Sequence, residues 1–393
     1  GSIWCLYPVL HSRLGKSTTQ TALIFSAVGL LTEQLRSWIF TGFPWLFIGY
    51  SQTESLLAGW APIIGVYGIS FIIYLSGAIL SNLPVYWRSS PSPIFSFSGK
   101  HWLLFLTALC WLAGPAIKHI QWTTIENQPL KVSIIQANIS QHDKWQPEHL
   151  TPTLDLYQKM SALTETDSDL ILWPEAAIPG EYHRMQPFIR QLDETTRKAN
   201  KSLITGIPFR DAGGVYPMHN SVIALGSGSG IYHKQRLVPF GEYVPLEFIS
   251  GKIMSIFELP LSSMSPGKNN QSALDIGNWK SRPLICYEIV YPELTAKTAR
   301  LSDVLITVSN DSWFGASIGP IQHLQMAQMR ALENGRYLLR GTSNGVSAIV
   351  NHKGAIIASS KQFKQEVLSG NFYLAHGLTP WSAFGYWFIY RLS

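Results

Sequence analysis

Charged residues are scarce in this sequence of 393 residues. Asp, Glu, Lys and Arg make up only 14% of the chain, whereas hydrophobic residues make up 46%, which is apolar for a soluble protein. The net charge of +6 is spread along the chain rather than gathered into one Lys/Arg run, so it predicts no nucleic-acid partner. This composition predicts that part of the chain lies in a membrane bilayer.

Cysteine is equally rare. The chain has only three cysteines, Cys5, Cys110 and Cys286, and an odd number cannot form a complete disulfide framework. Neither a Cys-x-x-Cys pair nor a cluster of histidines gives the spacing of a zinc site. We therefore expect no metal and no other cofactor, and we expect Cys286 to be a free thiol.

Apolar runs of helical length occur near the start of the chain. Trp60–Leu83 has no charged residue and is long enough to cross a bilayer, which takes about 20 helical residues. Trp102–Ile117 is a shorter run that we also expect to span, and Thr21–Leu31 begins another apolar helix. We assign residues 1–120 to transmembrane helices with an interfacial segment, Thr41–Gly59, which is rich in aromatic residues, Gly and Pro.

The loop charges predict the orientation of these helices. Arg13 and Lys16 lie in one short loop, and Arg88 and Lys100 lie in another loop two crossings further on. Short cytoplasmic loops are enriched in Lys and Arg, so both loops are expected on the cytoplasmic side. The large segment after Lys118 is then expected outside the cytoplasm.

The two ends of the chain also carry an expectation. Gly1 is not an initiator Met, and residues 378–393 begin an aromatic helix that would span only about 24 Å, short of a hydrocarbon core of ~30 Å. We expect the native protein to continue beyond both ends.

Residues 130–372 have the composition of a globular α/β domain, because predicted helices alternate with short buried strands. The predicted strands are Lys131–Ile139, Asp169–Trp173, Ser202–Ile207, His219–Leu225, Gly230–His233, Val304–Ser309, Leu338–Thr342, Val346–Asn351 and Ala355–Ser359. The predicted helices are Pro147–Leu163, Met185–Asn200, Pro292–Leu301 and Ile321–Gly335.

Three strand ends of this domain carry reactive side chains. Cys286 follows an apolar run within RPLICYEIVY, which predicts a buried strand before the thiol. Pro174 ends a second run and delivers Glu175, and Lys234 leaves a third run for a loop stiffened by Pro and Gly. Open α/β sheets bind ligands at this edge, so a thiol, a carboxylate and an ammonium can converge there. The alternatives are that Cys286 is a buried small hydrophobic residue and that Lys234 forms a structural ion pair.

The same stretches resemble a known superfamily. Glu175 in LWPEAAIP, Lys234 in YHKQRLVPFGEYVPLE and Cys286 in ICYEIVYPE are similar to the Glu-Lys-Cys triad of the nitrilase, or carbon–nitrogen hydrolase, superfamily. The longer stretches TGFPWLFIGYSQ, at 41–52, and NDSWFGASIGPIQH, at 310–323, resemble its membrane-bound acyltransferase branch.

This resemblance runs from about Leu31 to Pro380 and implies a four-layer α-β-β-α sandwich inserted between transmembrane helices. It also implies transfer of a fatty acyl chain from a phospholipid, through a thioester on Cys286, to the N-terminal amine of a diacylated apolipoprotein. The expected location is the bacterial inner membrane, with a periplasmic catalytic domain, and we expect a monomer. The triad alone is compatible with amide hydrolysis, so a membrane-tethered amidase of the same superfamily is the alternative.

The expected roles follow from the chemistry of acyl transfer. Glu175 takes the proton of Cys286 and later returns it. Lys234 and backbone N–H groups beyond the cysteine stabilise the oxyanion. Glu242 and Glu288 lie inside the motifs, and the resemblance implies that both matter for activity by orienting Lys234 or the incoming amine. The alternative is that both are ordinary loop carboxylates.

Aromatic and amide residues near the predicted strand ends are candidates for substrate binding. We expect Trp145, Tyr287, Asn310 and Trp313 to line a pocket for the acyl chain and head group. The apolar stretch Leu237–Gly267 is interpreted as a lid that dips toward lipid and covers the site. The alternative is an extension of the domain core.

Two Arg–Glu combinations at helical spacing have competing interpretations. Arg36 is a candidate substrate contact, or else a partner of Glu33 at the membrane interface. Arg330 and Glu333 are expected to form a pair on a helix surface.

Overall fold

The computed structural model describes residues 2–15, 17–39, 42–88, 99–164, 168–210, 218–239, 241–243 and 264–385. The chain forms two compact units. One unit, which we call the helical unit, contains residues 1–122 and 384–393. The other unit, residues 123–383, is called the α/β unit. The two units are described separately.

In its described residues, the helical unit contains four α-helices: α1 (Leu6–Leu14), α2 (Thr18–Arg36), α3 (Ala61–Arg88) and α4 (Gly99–Ile117). Ser17 caps the first turn of α2 by accepting a hydrogen bond from the backbone N–H of Gln20. Between α2 and α3, the predicted interfacial segment forms two short 3-10 turns, Ile48–Gln52 and Leu56–Trp60.

One stretch of the described helices, Leu56–Asn82, is long and apolar enough to cross a membrane, and Trp102–Ile117 is a shorter apolar helix. The longer stretch is not a continuous α-helix. Gly65 has φ of 63° and ψ of −176° inside α3, a conformation that glycine adopts without the steric cost of a Cβ atom.

Two mixed sheets form the centre of the α/β unit. The first has the order β15-β2-β3-β4-β5-β7, and β2, β3 and β4 are parallel to one another. The second has the order β10-β11-β12-β13-β14, and β10, β11 and β12 are parallel. The strands of the first sheet are β2 (Leu130–Gln136), β3 (Leu170–Leu172), β4 (Ser202–Phe209), β5 (His219–Gly226), β7 (Ile231–His233) and β15 (Glu366–Phe372). Those of the second sheet are β10 (Leu284–Ile285), β11 (Leu305–Ser309), β12 (Leu338–Thr342), β13 (Ala348–Val350) and β14 (Ile356–Ser359).

The sheets pack face to face through fully buried aliphatic residues, and helices cover both outer faces. Ile134 and Leu172 of the first sheet share one apolar cluster with Ile306 and Leu339 of the second. A second apolar cluster joins the first sheet to the helices α6 (Leu150–Ala162) and α7 (Gln186–Lys198). On the second sheet, α8 (Pro292–Ala299) packs against α9 (Gly319–Asn334), which contacts the strands themselves. This arrangement confirms the predicted α-β-β-α sandwich.

Smaller elements complete the unit. The short strands are β1 (Thr124–Ile125), β6 (Gly228–Ser229), β8 (Leu274–Ile276), β9 (Trp279–Ser281) and β16 (Ala375–His376). They form a three-stranded sheet, β6-β8-β9, and a pair, β1-β16. The short helices are α5 (Gln141–Lys144) and α10 (Pro380–Phe384).

The structure corrects one expectation about α9. Arg330 and Glu333 do pair, with Nη1 3.2 Å from Oε2, but both side chains are fully buried rather than on the surface. Residues on nearly every face of α9 are buried, because the helix packs against the second sheet as well as α8. A pair of charges at i, i+3 spacing therefore did not indicate an exposed helix face.

The predicted lid lies largely outside the described residues. Of Leu237–Gly267, positions 240 and 244–263 are not described. The lid interpretation therefore stays a prediction.

Candidate active site

Cys286 lies in a tight turn directly after β10. Its φ of +52° is unusual for a residue with a side chain, and a 3-10 turn, Cys286–Val290, follows. Two contacts hold the backbone on either side of the thiol. Glu288 Oε2 accepts a hydrogen bond from the N–H of Ile285 at 2.8 Å, and His323 Nε2 donates to the carbonyl of Cys286 at 3.2 Å.

A buried charged cluster lies beside this turn. Asp311 accepts hydrogen bonds from Ser309 Oγ and Arg340 Nη2, each at 2.6 Å. Burial would raise the pKa of Asp311, but the charge of Arg340 holds it below its ordinary value. Burial and Arg340 lower the pKa of His323, so its ring is neutral at pH 7. Because Nε2 donates to Cys286, Nδ1 accepts from Arg340 Nη2, 3.1 Å away.

Glu175 follows β3 and is held through both carboxylate oxygens. Oε1 accepts from Asn220 Nδ2 at 2.7 Å, and Oε2 accepts from the backbone N–H of Asn310 at 2.7 Å. The carbonyl of Glu175 also accepts from Lys144 Nζ at 2.8 Å. The close approach of β4 requires Gly206, because a Cβ atom there would lie 2.3 Å from the backbone nitrogen of Ala176.

Lys234 leaves β7 with its ammonium between two carboxylates. Its side chain is 1% exposed, with Nζ 2.8 Å from Glu242 Oε2 and 3.6 Å from Glu175 Oε1. Burial lowers the pKa of Lys234, but Glu242 and Glu175 outweigh it and raise the pKa above its ordinary value. The ammonium is therefore charged at physiological pH, and it can stabilise negative charge without losing its proton.

The thiol of Cys286 is neutral at physiological pH. Burial and the negative charge of Glu175 raise its pKa to about 12, against an opposing effect of Lys234. A thiolate is the nucleophilic form of cysteine. A neutral thiol must lose its proton before it can act as a nucleophile, and Glu175 is the carboxylate whose charge acts on it most strongly.

The two supporting glutamates have different surroundings. Glu242 binds Lys234, accepts from Asn220 Nδ2 at 2.9 Å and accepts from the N–H of Val238 at 2.8 Å. Glu288 is fully buried, and its Oε1 accepts from the N–H of Gln235 at 2.7 Å and from Tyr232 Oη at 3.0 Å. Glu242 thus contacts the ammonium itself, whereas Glu288 joins the Cys286 turn to the loop after Lys234.

Tyr287 packs beside the thiol. It is buried, its ring meets that of Tyr291 edge-on with centroids 5.4 Å apart, and burial together with Tyr291 raises its pKa. The hydroxyl is therefore neutral at physiological pH.

A cavity of about 490 Å³ opens onto Glu175, Glu242 and Asn220. Trp145 and Trp313 also line it, and their exposures of 48% and 67% leave both rings accessible. Asn310, the third predicted substrate-binding residue here, lines the cavity and donates to Gln141 Oε1 at 2.6 Å.

Arg36 belongs to the helical unit. Its Nη2 donates to the carbonyl of Leu46 at 3.2 Å, and its guanidinium lies over the ring of Phe47. Glu33 accepts instead from the N–H of Ile48 at 2.8 Å. Within the described residues each of the two side chains bonds a separate backbone group, and the alternative of an interfacial Glu-Arg pair stays a prediction. The role of Arg36 in substrate binding stays a prediction.

Sequence reasoning missed several residues of this site: Lys144, Asn220, Ser309, Asp311, His323 and Arg340. Lys144 is buried beside Glu175, and burial lowers its pKa to about 8 against the charge of Glu175. The motif NDSWFG contains Asp311, but its partner Arg340 comes from another strand, so no local spacing reveals the pair. Among the described residues, no group of three His, Cys, Asp or Glu side chains could hold a metal ion.

The fold and the site together are those of the carbon–nitrogen hydrolase class of enzymes. The carbon–nitrogen hydrolase family model matches residues 131–376, and the model of the apolipoprotein N-acyltransferase N-terminal domain matches residues 1–79. Apolipoprotein N-acyltransferase from Azotobacter vinelandii is 43% identical over 93% of this chain and 70% of its own length. The apolipoprotein N-acyltransferase from Pseudomonas aeruginosa is 44% identical over 93% of this chain and 70% of its own length. The chain belongs to the apolipoprotein N-acyltransferase family.

Solved structures give more distant similarities. A carbon–nitrogen hydrolase from Helicobacter pylori is 16% identical, with a TM-score of 0.47 over 62% of this chain and 89% of that one. An amidase from Nesterenkonia sp. is 16% identical, with a TM-score of 0.46 over 68% of this chain and 97% of the amidase.

Proposed function

We propose that this chain transfers a fatty acyl group from a phospholipid to the N-terminal amine of a diacylglyceryl-cysteine lipoprotein. The observation that carries this proposal is its identity of 43–44%, over 93% of its length, to relatives named apolipoprotein N-acyltransferases. The geometry around Cys286 supplies what an acyl transfer needs: a thiol, a carboxylate whose charge acts on that thiol, and a charged ammonium.

In the first half-reaction the thiol sulfur attacks the ester carbonyl while Glu175 takes the thiol proton. The resulting oxyanion is stabilised by Lys234 and by backbone N–H groups at the start of the 3-10 turn after Cys286. The intermediate then collapses. The C–O bond breaks, the leaving lysophospholipid oxygen takes the proton from Glu175, and the acyl group remains on sulfur as a thioester.

In the second half-reaction the lipoprotein amine attacks the thioester. Glu175 takes a proton from the amine nitrogen, the C–S bond breaks and the sulfur of Cys286 recovers the proton. Glu242 keeps Lys234 in place through both steps, since it accepts from the ammonium at 2.9 Å. Glu288 acts as a positioning residue because it connects the Cys286 turn with the Lys234 loop.

The substrates would meet at the cavity described above. Trp145 and Trp313 would contact the acyl chain through their exposed rings, and Asn310 would contact the head group. Separately, Arg36 of the helical unit would contact a lipid. Tyr287 would pack beside the thioester. The lid at Leu237–Gly267 would exclude water while the acyl-enzyme waits for an amine.

The proposed setting is the bacterial inner membrane, with residues 130–372 in the periplasm, residues 378–393 beginning a further helix and the chain acting as a monomer. The long apolar stretch Leu56–Asn82 supports the membrane setting. The Lys and Arg residues of the short loops support the orientation.

Mass spectrometry of the Cys286 peptide tests the proposal. Purified protein mixed with phospholipid should gain one fatty-acyl mass on Cys286, and Cys286→Ala should abolish the gain. The adduct should persist in buffer and disappear when a diacylated lipopeptide with a free amine is added, leaving an N-acylated peptide. The same lipopeptide acetylated on its amine is the control and should leave the thioester intact. Rapid release of free fatty acid without any lipopeptide would instead indicate a hydrolase.

A further inference from the structure

A second cavity, of about 500 Å³, is lined by four basic side chains and one acidic side chain. The basic residues are Arg236, Arg282, Lys297 and Arg300, and the acidic one is Glu293. None of these residues lines the cavity that contains Glu175. The second cavity therefore carries an excess of positive charge outside the acyl-transfer site.

Three of the four cations, Arg236, Lys297 and Arg300, are exposed, and Arg282 is buried. Within the described part of the chain, none of them has a carboxylate within 4.0 Å. Arg282, which is only 4% exposed, donates through Nε and Nη2 to the hydroxyl of Thr298 at 3.3 and 3.1 Å. The guanidinium of Arg236 stacks over the ring of Tyr291. Since a buried cation without a carboxylate in contact is unfavourable, Arg282 in particular favours an anion in the cavity.

Glu293 compensates little of this charge. Burial raises its pKa to about 7, despite the opposing charges of Arg330, Arg236 and Lys297. Its Oε1 is buried and has no hydrogen-bond partner. Below pH 7 the carboxyl group is mostly neutral, and its O–H can then donate to an anion as the guanidinium groups do.

We propose that this cavity is a phosphate-binding site formed by Arg236, Arg282, Lys297 and Arg300. Guanidinium groups match the geometry of phosphate oxygens, and phosphate is the anion whose several oxygens can use several cations at once. Two sources have this chemistry: the head group of an anionic lipid and free phosphate.

The position of Arg300 favours a lipid head group. Its Nε donates to the carbonyl of Ser382 at 2.6 Å and its Nη2 to that of Ala383 at 3.0 Å, the last residues of the α/β unit. The sequence continues as FGYWFIY, a composition typical of membrane–water interfaces. A head-group phosphate at an interface would therefore be within reach of this end of the unit.

The site is also connected to the catalytic loop. Arg236 is two residues after Lys234, and its backbone N–H donates to Glu288 Oε1 at 3.2 Å. Tyr291, under the Arg236 guanidinium, packs against Tyr287. An anion bound to Arg236 would therefore restrain the loop that carries Lys234.

Calorimetric titration of the full chain in detergent tests the site, with Cys286→Ala as the background so that no acyl transfer occurs. Two probes distinguish the sources: inorganic phosphate, and glycerophosphoglycerol, which is a head-group diester without acyl chains. Both should bind if the site takes lipid head groups, and inorganic phosphate alone should bind if it takes free phosphate. The exposed double variant Arg236→Gln/Lys297→Gln should weaken binding at least about tenfold. The control Lys198→Gln/Lys353→Gln removes the same charge from other surfaces and should bind as before.

The pH dependence of glycerophosphoglycerol binding gives an independent readout, because this diester keeps one negative charge between pH 6 and pH 8. Its binding should strengthen as the pH falls from 8 to 6, since Glu293 gains a proton and the cavity becomes more positive. Glu293→Gln should bind at pH 8 as tightly as the parent does at pH 6, with little further change. Absence of binding by both probes, or equal binding by the double variant and its control, would overturn the proposal.

Discussion

The backbone of Cys286 shows how single residues prepare this site. A positive φ at a residue with a side chain costs of order 1–3 kcal/mol and persists only where the surroundings hold it. Here Glu288 holds the residue before the cysteine, and His323 holds its carbonyl. The sequence motif predicted the thiol at a strand end, but not this turn, because His323 comes from α9 and has no fixed spacing from Cys286.

The thiol should be unreactive toward ordinary reagents. With a pKa of about 12, only about one molecule in ten thousand carries a thiolate at pH 8. Alkylation of Cys286 by iodoacetamide should therefore rise about tenfold for each pH unit between pH 7 and pH 10. Peptide mass spectrometry of the alkylated cysteine measures this rate.

Replacing Glu175 should have opposite effects on alkylation of the Cys286 thiol and on thioester formation from phospholipid. Glu175→Gln removes a negative charge that raises the thiol pKa, so alkylation at pH 9 should become several-fold faster. Thioester formation from phospholipid should be lost, because the base is gone. Glu194→Gln, on the exposed side of α7, is the charge-matched control and should change neither rate. Slower alkylation in Glu175→Gln would contradict this electrostatic assignment.

At the scale of elements, the strand ends bring the site together only because β4 approaches the Glu175 turn closely. Gly206→Ala would place a Cβ atom 2.3 Å from Ala176 N and 2.7 Å from Glu175 Cα. Since a displacement of about 1 Å can cost about 100-fold in rate, thioester formation should fall by about that factor.

Gly77→Ala is the control for this substitution. A Cβ atom at Gly77 would have no heavy atom within 4 Å, so thioester formation should be unchanged. The thermal unfolding midpoint of both variants shows whether the protein remains folded. A Gly206→Ala protein with full activity would contradict the close contact between β4 and the Glu175 turn.

The strands that the sequence predicted differ from those it missed in a physical way. β2, β3, β4, β11 and β12 are almost entirely buried, and all of them were predicted within a few residues of their observed bounds. β15 pairs with β2 over seven residue pairs, yet it contains Gly370 and Asn371, which are uncommon in strands. A Cβ atom at Gly370 would lie 2.7 Å from the end of the Ile349 side chain of the opposite sheet. Contacts between sheets of this kind cannot be inferred from local patterns.

At the scale of the whole molecule, the orientation in the membrane can be measured. In a protein without native cysteines, Asn127→Cys should react with a membrane-impermeant thiol reagent added outside the inner membrane, because the segment after Lys118 is predicted there. Ser90→Cys, at a position outside the described residues, should react only after the membrane is opened. The reverse labelling would exclude the proposed periplasmic domain.

The position of Lys234 between two carboxylates has an electrical consequence. Glu175, Lys234 and Glu242 together carry one net negative charge, and in the proposed cycle each proton that Glu175 accepts is balanced by negative charge on the reacting atoms. The charge of the buried group is thus the same in the free enzyme, both tetrahedral intermediates and the acyl-enzyme. Moving one charge through a membrane potential of 100 mV involves about 2.3 kcal/mol. Because no net charge moves, turnover is electrically silent and should proceed equally in energised and de-energised membranes.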